Sequence, residues 1–218
     1  MKRRTLDVLF SVGGLALAAL LLVLGLVMTS NANFAKSYVK DQLTQQKISF
    51  KSAETLTPEE AESACLVKYA GQQLTTGKQA ECYANDFIGL HLQSTADGLT
   101  YAELGEPQAA LRTQVADAQD ANDPALADLQ EELTAITAQR DSLFRGETLR
   151  GLLLTSFGFS VFGVKGEQVA TVAFVVAGLL ALLSIAGLVH AFRTPKDETF
   201  AAPDHRDTKK DDKELISV

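Results

Sequence analysis

The chain has 218 residues with 20 basic and 27 acidic side chains, a formal net charge of −7, and 46% hydrophobic residues. That size allows one domain or two small ones, and the acidic balance argues against a nucleic-acid partner, because phosphate binding needs a basic patch. Only three histidines (His91, His190, His205) and two cysteines are present, which limits metal and nucleophile chemistry from the outset.

The hydrophobic residues are unevenly distributed. Val8 to Met28 and Val169 to Phe192 contain no Asp, Glu, Lys or Arg. Each run exceeds the ~20 apolar residues that cross a bilayer core, and in lipid each satisfies its backbone as a helix. The spacing predicts membrane helices at 8–29 and 167–192. A cleaved signal peptide is the alternative for the first, with Lys2, Arg3 and Arg4 as its basic region. Its length exceeds the ~7–15 apolar residues usual there, which favours an uncleaved anchor.

Orientation follows the Lys/Arg bias at the helix ends. Lys2, Arg3, Arg4, Arg193, Lys196 and Arg206 lie on the terminal sides, and only Lys36, Lys40 and Lys165 on the loop side. Both termini, 1–7 and 193–218, are therefore expected in the cytoplasm of a plasma-membrane protein, with 30–166 extracytoplasmic. From Ser30 to Glu167 the loop carries 19 acidic and 11 basic residues, a balance of −8. That charge also opposes docking on anionic lipid. The tail, with its mixed charges at Lys209 to Glu214, is expected to be disordered.

The loop reads as helical throughout. A stalk continues the first apolar helix to about Gln46, interrupted by Ile48, Ser49 and Phe50, and KSAETLT reads as a linker. Thr57-Pro58-Glu59-Glu60 offers an N-cap, Pro at the first position and Glu at the third, predicting a helix to about Ala70 with Gly71 as its stop. A second helix is predicted from Gly77 or Lys78 to about Ser94, with Ala80, Tyr83, Ala84, Phe87, Leu90 and His91 on one face.

Cys65 and Cys82 each stand six residues from the connecting loop of this helical hairpin, one before Gly71 and one after Thr76. Equal distances from the turn bring them alongside each other. An oxidising compartment lets the bond persist, and closing such a loop is worth about 3 kcal/mol. Two buried free thiols are the alternative. Two cysteines do not make a thiolate metal site.

Further on, Thr100 to Glu103 forms another capping box, cut short by Gly105 and Pro107. A helix from Pro107 to Ala118 is followed by Asp123 as N-cap, Pro124, and an apolar seam of Leu126, Leu129, Leu133, Ile136, Arg140, Leu143 and Phe144. Gly146 is expected to close that helix, with a short coiled coil as the alternative to a simple hairpin. Leu149 to Val164 reads as a separate apolar juxtamembrane segment, interfacial or core-packed, with Gly163 to Gly166 as the elbow into the second span. The fold class is all-α: two membrane helices flanking a helical domain with a disulfide-linked hairpin.

No catalytic, cofactor or metal set emerges. Gly-rich phosphate loops and nucleophile elbows are absent, and Ser63 and Ser94 have no evident base. Glu59-Glu60 and Glu131-Glu132 read as solvated faces. Tyr83, His91 and Glu81 are the one grouping that spacing allows, and a lone helical histidine is usually structural. The spans carry no central charge, which argues against an ion pathway. Ala173, Ala177 and Ala181 make a small-residue stripe for packing on the first helix or for a homo-oligomer.

Lys68 to Leu92, Leu143 to Leu154, and the N-terminal RTLDVLFSVGGLALAALLL resemble an uncharacterised group of actinobacterial two-pass membrane proteins. The resemblance covers about a quarter of the chain and implies the same topology in an actinobacterial cell envelope, but no activity. Some members carry the label aromatic ring-opening dioxygenase. That chemistry needs an iron site, usually two histidines and a carboxylate, and His91 has no second histidine on its side of the membrane. The two resembling segments direct attention to Gln72, Gln73, Thr75 and Thr76 at the hairpin tip and to Arg145, Glu147 and Arg150 near the expected elbow, as a partner surface. The expected role is a non-enzymatic accessory subunit, assembly factor or scaffold working with other envelope proteins. The alternative is a small-ligand binding or sensing module.

Overall fold

The computed structural model describes residues 3–195. Lys2 and everything from Lys196 onward, including His205, Arg206 and most of the expected disordered tail, lie outside the described residues. The described chain is helical, with no strand and one isolated antiparallel bridge between Ser49 and Gln73. Its elements in order are α1 Arg3–Gln45, α2 Pro58–Ala61, α3 Ala64–Tyr69, α4 Gly77–Cys82, α5 Gly89–Thr95, α6 Gly105–Ala121 and α7 Leu126–Arg193. A 3-10 turn, Ala53–Thr55, precedes α2, and a π-helical stretch, Tyr83–Ile88, joins α4 to α5.

The chain divides into two units, residues 1–30 with 167–218, and residues 31–166. In the first, α1 and α7 are both long and apolar enough to cross a membrane. Only 17% of the most apolar window of each is buried. Small residues let the two helices approach. Ser184 packs onto Gly14, Ser11 onto Gly187, and the Phe174 ring stands 2.6 Å from where a side chain on Gly25 would begin. Ala173 and Ala177 are buried within this pair and Ala181 half-buried, so the alanine stripe serves packing inside the chain.

The second unit has its own core, built from Val39, Leu43, Phe50, Leu66, Leu74, Ala84, Ile88, Leu92, Leu143 and Leu153 among others. The expected single helix over 57–70 is two short ones. Thr57 caps α2 through the anticipated capping box with Glu60, but Ser63 then accepts from Leu66 N and starts α3 afresh. A serine that offers its oxygen to the backbone favours such restarts. The expected linker is ordered too. Gly71 N donates to Lys51 O, Phe50 N to Gln72 O and Leu74 N to Ile48 O, so residues 48–51 and 71–74 pair like a short ribbon. Gly71 holds φ +69°, the left-handed conformation that favours glycine at this helix end.

Along α4, the π-helical stretch and α5, the buried residues include Ala80, Ala84, Ile88, Leu92 and, just past the end of α5, Ala96, five positions at steps of four. In a regular α-helix each such step drifts by about 40° around the axis, so the fifth would face away from the core. The wider π turn offsets that drift and keeps one face inward.

The largest departure concerns α7. It is one helix of 68 residues, so Gly146 does not end a helix, 149–164 is not a separate element and no break in helical structure falls at 163–166. Both glycines are close-approach points. A side chain on Gly146 would collide with buried Leu92, and one on Gly163 would meet Ala32 O and Ala35 Cβ at 3.3 Å. Leu153 of the expected segment is core, and Leu152, Phe159 and Phe162 are exposed. Elsewhere the boundaries shift by a few residues. The α6–α7 hairpin turns at Asn122 in the left-handed conformation, and Asp123 Oδ1 accepts from Ala125 N 2.8 Å away before α7 begins.

These contacts separate two substitutions of the same kind on one helix. Gly158 has open space around it, so Gly158→Ala is expected to stabilise by about 0.5–1 kcal/mol through helix propensity alone. Gly146→Ala is expected to destabilise by about 1–2 kcal/mol, because buried Leu92 must shift out of its packed position to admit the methyl group. Thermal unfolding of the detergent-solubilised chain measures both, and two shifts of one sign would contradict the packing.

Candidate functional site

The chemistry-bearing side chains of residues 31–166 gather around α2, α3 and the helix from α4 to α5. Glu60 is the centre of the first group. The capping box turns its carboxylate back toward its own N-cap, where Oε2 accepts from Thr57 N at 2.8 Å. That direction points it inward, so Glu60 is fully buried rather than part of the expected solvated face. Lys51, carried in by the ribbon, donates to both oxygens at 2.8 and 3.0 Å. His91 Nε2 stands 3.5 Å from Oε1, and His91 Nδ1 is 2.7 Å from Phe87 O. The Lys51 ammonium also lies 5.3 Å over the Phe87 ring.

Burial alone would raise the Glu60 pKa. The Lys51 hydrogen bond, the Thr57 amide and the charges of Lys51 and His91 outweigh it and hold the carboxyl below its ordinary 4.5. Half-buried Tyr83 is pushed upward by desolvation and by the Glu60 charge. The grouping allowed by spacing thus forms around a different acid: Glu81 pairs with Lys78 at 2.9 Å, and Glu60 takes its place beside His91. His91 is anchored through Nδ1, while its Nε2 makes only the longer 3.5 Å approach to Glu60 on an exposed ring. Ser63 caps α3, and Ser94 donates to His91 O at 2.9 Å.

Cys65 and Cys82 are bonded, with S–S 2.01 Å and Cα–Cα 6.0 Å, as the hairpin spacing predicts. Asp86 Oδ2 lies 2.7 Å from Cys65 Sγ. These three residues place donor-type atoms within 4.8 Å of one another, but sulfurs joined to each other offer no thiolate to a metal.

The second group lines a cleft of about 750 Å³ between α2–α3, the π–α5 helix, the loop at 98–102 and α7. Leu92, Leu99, Tyr101 and Leu143 give it apolar surface, and Glu59, Glu62, Asp86 and Glu147 give it negative charge. Arg150 is the one cation among the described residues that line it. Its Nη1 faces Glu147 at 3.3 Å, its Nη2 reaches Asn85 at 3.3 Å, and its Nε is buried with no hydrogen-bond partner.

The suggested partner residues fall into three places. Glu147 and Arg150 line the cleft, on unbroken α7 rather than at an elbow. Arg145 is exposed outside it. Gln72, Gln73, Thr75 and Thr76 are largely committed to structure. Gln72 bonds Lys68 O and Gln79, Gln73 bonds Thr44 O, and both threonines bond Gln79 Oε1. Sequence reasoning missed Lys51, Glu60, Asn85 and Asp86. Only Glu60 had a signal, since a capping-box glutamate must fold back toward its N-cap.

Searches of protein-family models, of curated proteins and of solved structures each find no match to this chain.

Glu60 gives a pH test with a definite sign. Its folded pKa is depressed, so its contribution is present above about pH 4.5 and lost as pH falls through the folded value. Glu60→Gln keeps an acceptor for Thr57 N but leaves Lys51 without its counter-charge. We expect a loss of about 2–3 kcal/mol near neutral pH, from unfolding curves, and a flatter acid limb than the parent's.

Proposed function

We propose that the protein is a non-enzymatic, membrane-anchored accessory subunit or scaffold of the cell envelope whose helical domain holds a segment of a partner protein. The cleft carries this reading. It is large and open, its walls come from four separate elements, and it combines apolar surface with charge, as protein-docking surfaces do. Two helices apolar enough to span supply the anchor, and the Lys/Arg count favours both termini inside with residues 30–166 outside. The Cys65–Cys82 bond is consistent with that oxidising side, and the resemblance to actinobacterial two-pass proteins supports an envelope setting.

A second reading, a small-ligand binding or sensing module, is favoured by the cleft volume, which falls in the ~300–1,000 Å³ range of ligand sites. A photocrosslinking residue at Gln93, on the cleft wall, separates the two when placed in the full chain in native membranes. We expect one reproducible protein adduct there and none from the same probe at Gln114 on α6. Adducts at neither position, with a ligand-dependent rise in melting temperature, would move the assignment to the small-ligand reading. A cysteine introduced at Gln114 should react with a membrane-impermeant maleimide on intact cells, and protection until lysis would reverse the proposed topology.

A further inference from the structure

The disulfide sits beside a recess of about 370 Å³ lined by Cys65, Tyr69, Lys78, Glu81, Cys82, Asn85 and Asp86. Cys82 is buried, so a reagent entering the recess meets Cys65 first. There it also meets Asp86, whose Oδ2 is 2.7 Å from Cys65 Sγ. A disulfide sulfur carries no hydrogen, so this is a close approach of a carboxylate to the bond itself. Lys78, the recess cation, is 2.9 Å from Glu81 Oε2 and 4.9 Å over the Phe157 ring, so its charge is already engaged. The recess therefore presents net negative charge to whatever approaches the sulfurs.

Reduction of a disulfide begins with a thiolate, an anion. Its sulfur forms a new S–S bond to one cysteine, the Cys65–Cys82 bond breaks, and the other cysteine leaves as a thiolate that takes a proton from solvent. A second thiolate then resolves the mixed disulfide, releasing both cysteines reduced and the reagent oxidised. Attack on Cys65 brings the incoming anion against the Asp86 carboxylate. A leaving Cys65 thiolate would form beside the same charge, so either direction of attack is disfavoured.

We infer that Asp86 is an electrostatic guard of the Cys65–Cys82 bond, slowing its exchange with anionic thiols and making it a lasting brace of the hairpin rather than an exchange site. The guard acts through charge, which distinguishes it from simple burial. Asp86 is exposed and Asp86→Asn is isosteric, so the fold tolerates the change.

The test follows reduction of the full chain in detergent by maleimide-polymer gel shift, using an anionic thiol (mercaptoethanesulfonate) and a cationic one (cysteamine). Comparing variant with parent for each reagent cancels the reagents' own thiol acidities. D86N is expected to speed reduction by the anionic thiol on the order of tenfold and to leave the cationic rate unchanged or lower. E81Q, which removes the carboxylate paired with Lys78, is expected to have a smaller effect, and melting temperatures check that both variants fold. Equal acceleration with both thiols would mean that Asp86 does not act on the charge of the incoming reagent and would overturn the inference. So would no acceleration, or an E81Q effect as large as that of D86N.

Discussion

The domain formed by residues 31–166 depends on one buried charge. Glu60 has no exposure, and a carboxylate in that position is tolerable only when its oxygens are fully engaged. The partners that engage it come from different parts of the chain: Lys51 from the ribbon, the Thr57 amide from the start of α2, and His91 from α5. Each partner is therefore fixed by a shared need, and the three segments cannot drift apart without stranding the charge. Hydrophobic contacts would hold these segments together with less specificity of position. The ion pair fixes the register between them.

That constraint matters because the pieces it joins are too short to stand alone. α2 has four residues and α3 and α4 six each, far below the ~12–15 at which an isolated helix becomes marginal in water. Their stability comes from links across the sequence. The disulfide ties α3 to α4, the ribbon ties residues 48–51 to 71–74, and Gln79 gathers Thr75, Thr76 and Gln72 at the turn between them. Leu66 and Leu74, almost without exposure, fill the space these links enclose. α6 and α7 form a different kind of contact. Their seam mixes half-buried leucines with Gln108, which bonds Thr137 and Arg140.

Local signals in the sequence proved legible where one cause decides the outcome. The hairpin with Cys65 and Cys82 at equal distances from its turn was readable because a short loop fixes the pairing of two helices. The all-helical class and the two apolar helices followed from periodicity and length. The errors share a physical origin. Glycine marks both a helix end and a site of close approach, and only the neighbour tells which. At Gly71 it is the backbone turn, and at Gly146 it is Leu92. Reading Gly146 and Gly163 as breaks divided a helix that runs for 68 residues. Glu60 was assigned to solvent for a related reason, since its burial depends on Lys51 and His91, nine and thirty-one positions away. Asn85 and Asp86 carry no motif at all, and their position is set by the helix that bears them.

That helix explains why the cleft and the disulfide recess occur together. Asn85 and Asp86 line both, and both residues lie in the π-helical stretch. The wider turn is demanded by the core, because Ala80, Ala84, Ile88, Leu92 and Ala96 must all face inward. Replacing it with a regular turn would rotate everything beyond it relative to everything before it by tens of degrees. Asn85 would then lose its place opposite Arg150, and Asp86 its place against Cys65. Packing that keeps one apolar stripe buried over five steps thereby sets two polar side chains next to each other on the outer face. One points its amide at Arg150 in the cleft, and the other holds its carboxylate against the disulfide.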